Sequence, residues 1–153
     1  MLVALENIRS LYNVGAIFRT CSFFGVKKVF LVGYSGKRPL PDGSWELNEK
    51  IEKTSLGTIK DLEIVLVKNS EELVKLVKKN RLKLVAVEIG KKSIKLEAFK
   101  PTKKDVLVFG NEVNGVSKAV LEASDEIVEI PRLGNKTSLN VATTAGIVIH
   151  EAR

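Results

Sequence analysis

At 153 residues, 44% of them hydrophobic, the chain is long enough for one domain with a substantial core, and no apolar run is long enough to cross a membrane. A single cysteine, Cys21, excludes an internal disulfide and a cysteine-cluster metal site; a single histidine, His150, excludes a multi-histidine zinc or iron site. The formal net charge of +7 fits either a polyanionic partner, most simply a nucleic acid, or the solvated Lys/Glu-rich surface of a heat-adapted protein.

In chain order, Leu2–Leu5 reads as a strand, with no basic leader or cleavage pattern around it, so a cytosolic setting is expected. Asn13 then reads as the cap of a helix whose apolar residues Ile17, Phe18, Cys21 and Phe24 share one face, stopped by Gly25. Val29–Val32 is a strand, and residues 33–50 read as irregular because Gly33, Gly36, Pro39, Pro41, Asp42 and Gly43 all signal turns. Ile64–Val67 is a strand. Ser70 reads as the cap of a helix with Glu71 and Glu72 in its first turn and Lys78 and Lys79 in its last, as the helix dipole prefers. Leu84–Val87 and Val106–Phe109 are strands. A loop at 110–116 leads to a helix capped by Ser117. Ile127–Ile130 is the last strand, and Ser138 and Asn140 stand as candidate caps at the mouth of a terminal helix of small and branched apolar residues. That helix is expected to serve as core and as a contact between two copies of the chain. His150, inside it, is expected to be partly buried.

Strand–helix alternation of this kind predicts an α/β fold with a mostly parallel sheet and helices on both faces, in one undivided domain, 1–153. Ligands in such folds sit beyond the C-terminal ends of the strands. Three polar loops follow strands at that edge: 6–13, 110–116 and 131–138. In the first, Arg9 and Arg19 suit a grip on phosphate or sugar, although either also fits an ordinary surface arginine. In the second, Glu112 is the only acid, placed to act as a base or to orient an arginine; Gly110 ends the strand and lets backbone approach a ligand closely, unless Gly110 and Gly115 simply serve positive φ in a polar turn. The third carries Ser138 and Asn140. No dinucleotide GxGxxG or phosphate-binding GxxxxGK pattern occurs. Outside these loops, Lys91, Lys92, Lys95, Lys100, Lys103 and Lys104 form the densest basic stretch, broken only by Glu97. From it Lys91, Lys92, Lys103 and Lys104 are candidate RNA contacts.

Three stretches, taken together, are familiar. They are Asn7-x-Arg9 with Asn13-x-Gly15-x-x-x-Arg19, then Val108–Ser117, then Ile130-Pro131-x-x-Gly134-x-x-x-Ser138-Leu139-Asn140-Val141-Ala142. Their order and spacing resemble the three motifs of the SpoU/TrmH family, RNA ribose 2′-O-methyltransferases of the SPOUT superfamily. Lys53–Gly57 is also similar to a family stretch. The resemblance covers nearly the whole chain. It departs at Arg132, where the family usually has methionine, and in lacking the N-terminal extension that many relatives use to hold RNA.

The resemblance implies a SPOUT-type α/β sheet with a C-terminal trefoil knot, a homodimer, and no metal. S-adenosyl-L-methionine would be held largely by backbone groups around Gly110, Asn111, Glu112, Ile130, Leu133, Gly134, Ser138, Leu139 and Asn140. Arg19 matches the catalytic arginine; Asn13, Glu112, Ser138 and Asn140 match supporting positions. The substrate would be transfer or ribosomal RNA, touched by Arg9, Arg19 and the lysines. A guanidinium holds its proton above pH about 12, so Arg19 would either stabilise developing alkoxide charge or, if desolvated, take the proton itself. The rival readings are a non-catalytic RNA-binding protein of the same fold and a small-molecule enzyme whose lysines are incidental.

Overall fold

The computed structural model describes residues 1–153. Its centre is a wholly parallel seven-stranded sheet. In chain order the strands are β1 (Leu2–Glu6), β2 (Lys28–Val32), β3 (Lys37–Pro39), β4 (Trp45–Leu47), β5 (Glu63–Val67), β6 (Lys83–Val87), β7 (Ile94–Lys95), β8 (Asp105–Phe109) and β9 (Glu126–Glu129). The large sheet runs β5-β2-β1-β8-β6-β9-β7, while β3 and β4 pair separately as an antiparallel hairpin. The helices are α1 (Leu11–Phe23), α2 (Lys50–Ser55), α3 (Ser70–Lys79), α4 (Lys118–Ala123) and α5 (Val141–Glu151).

The central strands are apolar on both faces, as a covered parallel sheet requires. Their alternation divides the core. Val3, Leu5, Val85, Leu107 and Phe109 pack with α1, α2 and α5. Ala4, Leu84, Ala86, Val106 and Val108 pack with α3 and α4 on the other side. Helices therefore lie on both faces, as expected, and no helix is long and apolar enough to cross a membrane.

Several local expectations are corrected. The cap of α1 is Ser10, whose Oγ accepts the Asn13 N–H at 3.3 Å; Asn13 lies inside the first turn, freeing its side chain for other partners. The cap of α3 is Asn69, whose Oδ1 accepts the Glu72 N–H at 2.9 Å. Ser70 is buried there and donates its hydroxyl to Glu6. Residues 33–50 are not irregular throughout, because Lys37–Pro39 and Trp45–Leu47 pair. Lys37 anchors that hairpin, donating to the Val67 carbonyl at 2.7 Å with its ammonium 5.7 Å from the Trp45 ring. His150 is exposed, with Nε2 2.8 Å from the Arg153 guanidinium and its ring edge-on to Phe24. Of the two candidate caps of α5, Asn140 is the cap, and Ser138 lies outside the helix, exposed.

Candidate active site

The ends of β1, β8 and β9 bring the three polar loops together, because β1 pairs with β8 while β6 joins β8 to β9. Glu112 is the junction of the first two loops. Its carboxylate accepts the Arg9 N–H at 3.0 Å, the Ser10 N–H at 3.1 Å and the Asn13 side-chain N–H at 3.0 Å. Asn140 ties in the third loop, donating through Nδ2 to Asn13 Oδ1 at 3.2 Å. Its own Oδ1 accepts the Ala142 and Thr143 amides at the mouth of α5, at 2.8 and 3.3 Å.

The polarity of this chain of bonds is fixed by its ends. An ionised carboxylate only accepts, so Asn13 must turn its NH₂ to Glu112 and its oxygen to Asn140. Helix-mouth amides only donate, so Asn140 must turn its oxygen to them and its NH₂ to Asn13. Every donor therefore points from the α5 mouth toward Glu112, an alignment in which successive bonds polarise one another. Burial raises the cost of ionising Glu112. The hydrogen bonds from the Arg9 amide, its own amide, the Asn13 side chain and the Ser10 amide outweigh that cost and hold its carboxyl below the usual glutamate range. The expected arginine partner is not what Glu112 takes: it bonds the backbone of Arg9, not a guanidinium.

Asn111 is buried, and its amide is fully engaged. Oδ1 accepts the Val113 and Asn114 amides, both at 2.9 Å; Nδ2 donates to the Asn7 carbonyl at 2.7 Å and to the Tyr34 hydroxyl at 2.9 Å. Asn111 and Gly115 also exchange backbone hydrogen bonds across the turn. Two further carboxylates fasten the chain where it leaves that turn for α4. Glu88, one residue beyond β6, accepts the Val116 amide at 2.9 Å. Glu6, the last residue of β1 and only 1% exposed, accepts the Ser117 amide at 2.8 Å and its hydroxyl at 2.6 Å. Sequence reasoning missed Glu6, Tyr34 and Glu88. The available signal was an acid standing at the end of an otherwise apolar strand, twice, at the edge where ligands sit.

An open cleft of about 770 Å³ lies between the second and third loops and the end of β6, and all nine residues that the resemblance assigns to the cofactor line it. Its most distinctive wall is the segment 131–139. No backbone hydrogen bond within the protein involves any of those residues. Leu133 is 99% exposed. Such a run of free N–H and C=O groups beside a cleft suits a polar ligand held by backbone. Asn13 stands behind the lining, reaching it through Glu112 and Asn140.

The arginines and lysines are placed differently. Arg9 adjoins Glu112 by its backbone, with an exposed side chain. Arg19 is exposed on α1 outside the cleft lining, between Tyr12 (79% exposed) and Phe23 (83%) on the same helix face. Lys91 and Lys92 follow β6, and Lys92 lines a smaller cavity beside α4. Lys103 and Lys104 precede β8, three places from β7 in the sheet order. The basic stretch is thus not one patch.

Residues 1–150 match the model of the SpoU rRNA Methylase family. The chain belongs to that family. Among similar proteins, the tRNA (guanosine(18)-2′-O)-methyltransferase of Aquifex aeolicus is 32% identical over the whole chain, which spans 68% of that protein. The 23S rRNA (guanosine-2′-O-)-methyltransferase of Escherichia coli K12 is 27% identical over 99% of the chain, which spans 58% of it. The crystal structure of the A. aeolicus TrmH/SpoU tRNA modifying enzyme superposes with a TM-score of 0.83 over 99% of this chain and 72% of its own. The SpoU methyltransferase AviRb from Streptomyces viridochromogenes, solved with its cofactor AdoMet, gives 0.83 at 25% identity, over 99% of this chain and 58% of its own. The SpoU frame makes the three-loop junction its candidate active site.

Proposed function

We propose that this SpoU-family chain transfers a methyl group from S-adenosylmethionine to a ribose 2′-hydroxyl of structured RNA, a transfer or ribosomal RNA. The observation that carries the reading is the segment 131–139, whose unbonded backbone walls the cleft next to the Asn140–Asn13–Glu112 chain. The cofactor fits that donor set. Free backbone groups suit its adenine and ribose, Ile130, Leu133 and Leu139 suit its apolar surface, and Arg132 and Lys136 suit its carboxylate.

When bound, the cofactor supplies an electrophilic methyl on its sulfonium. What remains for the protein is placement of a 2′-oxygen in line with that bond, which supplies much of the rate. Asn140 holds the loop that carries the cofactor, and Glu112 locks that loop's neighbours to the start of α1. Glu112 is a positioning group in this reading. Its oxygens already accept three hydrogen bonds and its carboxyl is held low, both unfavourable to a base. Arg19, charged and unpaired, grips the neighbouring phosphate and stabilises charge on the attacking oxygen. Asn140→Ala is expected to weaken cofactor binding and slow turnover together. It should also lower stability by about 1 kcal/mol through the lost cap. Calorimetry giving parental affinity would remove Asn140 from the cofactor loop's support.

The same reading includes a C-terminal trefoil knot through the cofactor loops, a homodimer and a cytoplasmic setting. Support for the dimer is the exposed stripe of α1, Tyr12, Arg19 and Phe23, on a helix that packs against α5, where Ile147 is also exposed. Apolar residues so placed favour a partner surface. Arg19 stands in that stripe rather than in its own chain's cleft lining.

The product tests the reaction. Alkali cleaves RNA because a free 2′-oxygen attacks the adjacent phosphorus; a methyl on that oxygen blocks the attack, whereas a methyl on a base does not. RNA methylated with labelled cofactor is expected to yield labelled dinucleotides that survive alkaline hydrolysis. Label found only in mononucleotides would mean base methylation and would end the ribose assignment.

A further inference from the structure

We infer that the edge of the sheet opposite the cleft is a second contact surface for the phosphate backbone of the RNA substrate; this rests on the RNA reading above. In a parallel sheet every strand begins at one edge, and the strands here place cations together there. Lys27 immediately precedes β2, Lys103 and Lys104 immediately precede β8, and Lys83 opens β6. The Lys83 amide bonds the Lys104 carbonyl at 3.0 Å, which fixes those two segments side by side. Lys78 and Lys79 end α3, and Arg81 lies in the turn from there into β6. All seven side chains are exposed.

None of the seven makes an ion pair: the only lysine of this edge that does is Lys28, 2.8 Å from Glu63. The acids at this edge offset only part of that charge, and Glu126, which opens β9, has no side-chain partner. Asp61 accepts the Ser22 hydroxyl at 2.7 Å, Asp125 accepts the Leu84 amide at 2.8 Å, and Asp105, buried, accepts the Thr102 amide and hydroxyl at 2.7 and 2.6 Å. From β2 across β1 and β8 to β6 is three strand spacings, about 14 Å. Neighbouring cations over that span lie near the Debye length of about 8–10 Å at physiological salt, so their fields add.

A helix dipole explains Lys78 and Lys79 at the end of α3. It does not explain Lys27, Lys83, Lys103 or Lys104, which precede or open strands. The repulsion left in such a group is relieved by a polyanion, and a nucleic-acid strand presents a charge every few ångström. The strands between the two edges are about 17 Å long, so only a folded RNA that wraps the molecule reaches both the cleft and this edge.

The test compares the parent with a variant carrying K78Q, R81Q, K83Q, K103Q and K104Q, and with a control carrying K50Q, K68Q, K75Q, K95Q and K118Q. The probes are an in vitro transcript of a transfer RNA and a short single strand, with affinity measured against salt. For the transcript, the first variant is expected to lose about tenfold in affinity, and each lost phosphate contact should flatten the log–log salt slope by about 0.7–0.9. Its affinity for S-adenosylhomocysteine and for the short strand should match the parent's, which also shows that it folds. A parental slope for that variant, or equal flattening in the control, overturns the rear surface. A parent that methylates RNA while the slope is unchanged overturns this inference alone; a parent that binds neither RNA overturns the RNA reading with it.

Discussion

Arg19→Ala is expected to leave cofactor affinity, thermal stability and mass in solution by light scattering close to the parent's, while methyl transfer falls by about 10²–10³-fold. The first half follows from its surroundings. Arg19 is exposed, makes no ion pair and lies outside the cleft lining. Surface substitutions of that kind usually change stability by less than about 0.5 kcal/mol. The second half follows from electrostatics. A preorganised cation aimed at developing charge is worth a factor of about 10²–10³ when removed, and little in the ground state. Arg19→Lys separates charge from geometry. An ammonium keeps the charge but cannot make the planar two-point contact to phosphate, so an intermediate rate is expected. Near-parental turnover in Arg19→Ala would sink the catalytic role, and a fall in that mass together with lost turnover would leave the loss explained by the stripe in which Arg19 stands.

What was legible in the sequence is what depends on period and order. The apolar runs around Val3, Phe30, Val85 and Val108 could only be covered strands, and the alternation with helices set the parallel sheet. The three loops were found because each follows a strand, and the fold delivers strand ends to one edge. Caps were misplaced by one to three residues, because neighbouring polar residues compete. Ser10 and Asn13 are both competent caps, as are Asn69 and Ser70, and the choice is made by tertiary partners: Glu112 claims Asn13 and Glu6 claims Ser70. The same limit hid Glu6 and Glu88. Their roles are set by amides more than twenty residues away in sequence, and the only local mark is an acid at the end of an apolar strand. The lysine stretch misled for a topological reason. Between Lys92 and Lys103 the chain passes from beside β7, the outermost strand, to β8 near the middle of the sheet, so neighbours in sequence became separated in space. The hairpin at 37–47 was masked by its own turn residues, which are as frequent in a tight hairpin as in a loop.

Gly110→Ala is expected to lower stability by about 3 kcal/mol and to weaken cofactor binding by at least about tenfold, the worth of one lost hydrogen bond. The sequence offered two readings, close approach of backbone to a ligand at Gly110 or positive φ at both Gly110 and Gly115. Only Gly115 has positive φ, at +69°. Gly110 is needed for space. A Cβ there would stand 2.3 Å from the Gly115 carbonyl carbon and the Val116 nitrogen, and 2.4 Å from the Gly115 oxygen. Those are backbone atoms of the returning arm of the same turn, so no side chain can swing away to make room. The turn must open, and opening it strains the paired Asn111–Gly115 bonds and moves Val116 from Glu88. Asn111 then loses the alignment of its four bonds, and Glu112, one residue on, loses its fit to the Arg9 and Ser10 amides. Gly134→Ala is the contrasting case, since nothing lies within 4 Å of a Cβ at that position. If both variants unfold and bind alike, the crossing of Gly110 against Gly115 is not what shapes the cleft. If Gly134→Ala keeps its stability and Gly110→Ala does not, the cleft depends on two glycines passing where no side chain fits, and the Asn140–Asn13–Glu112 chain depends on the turn they form.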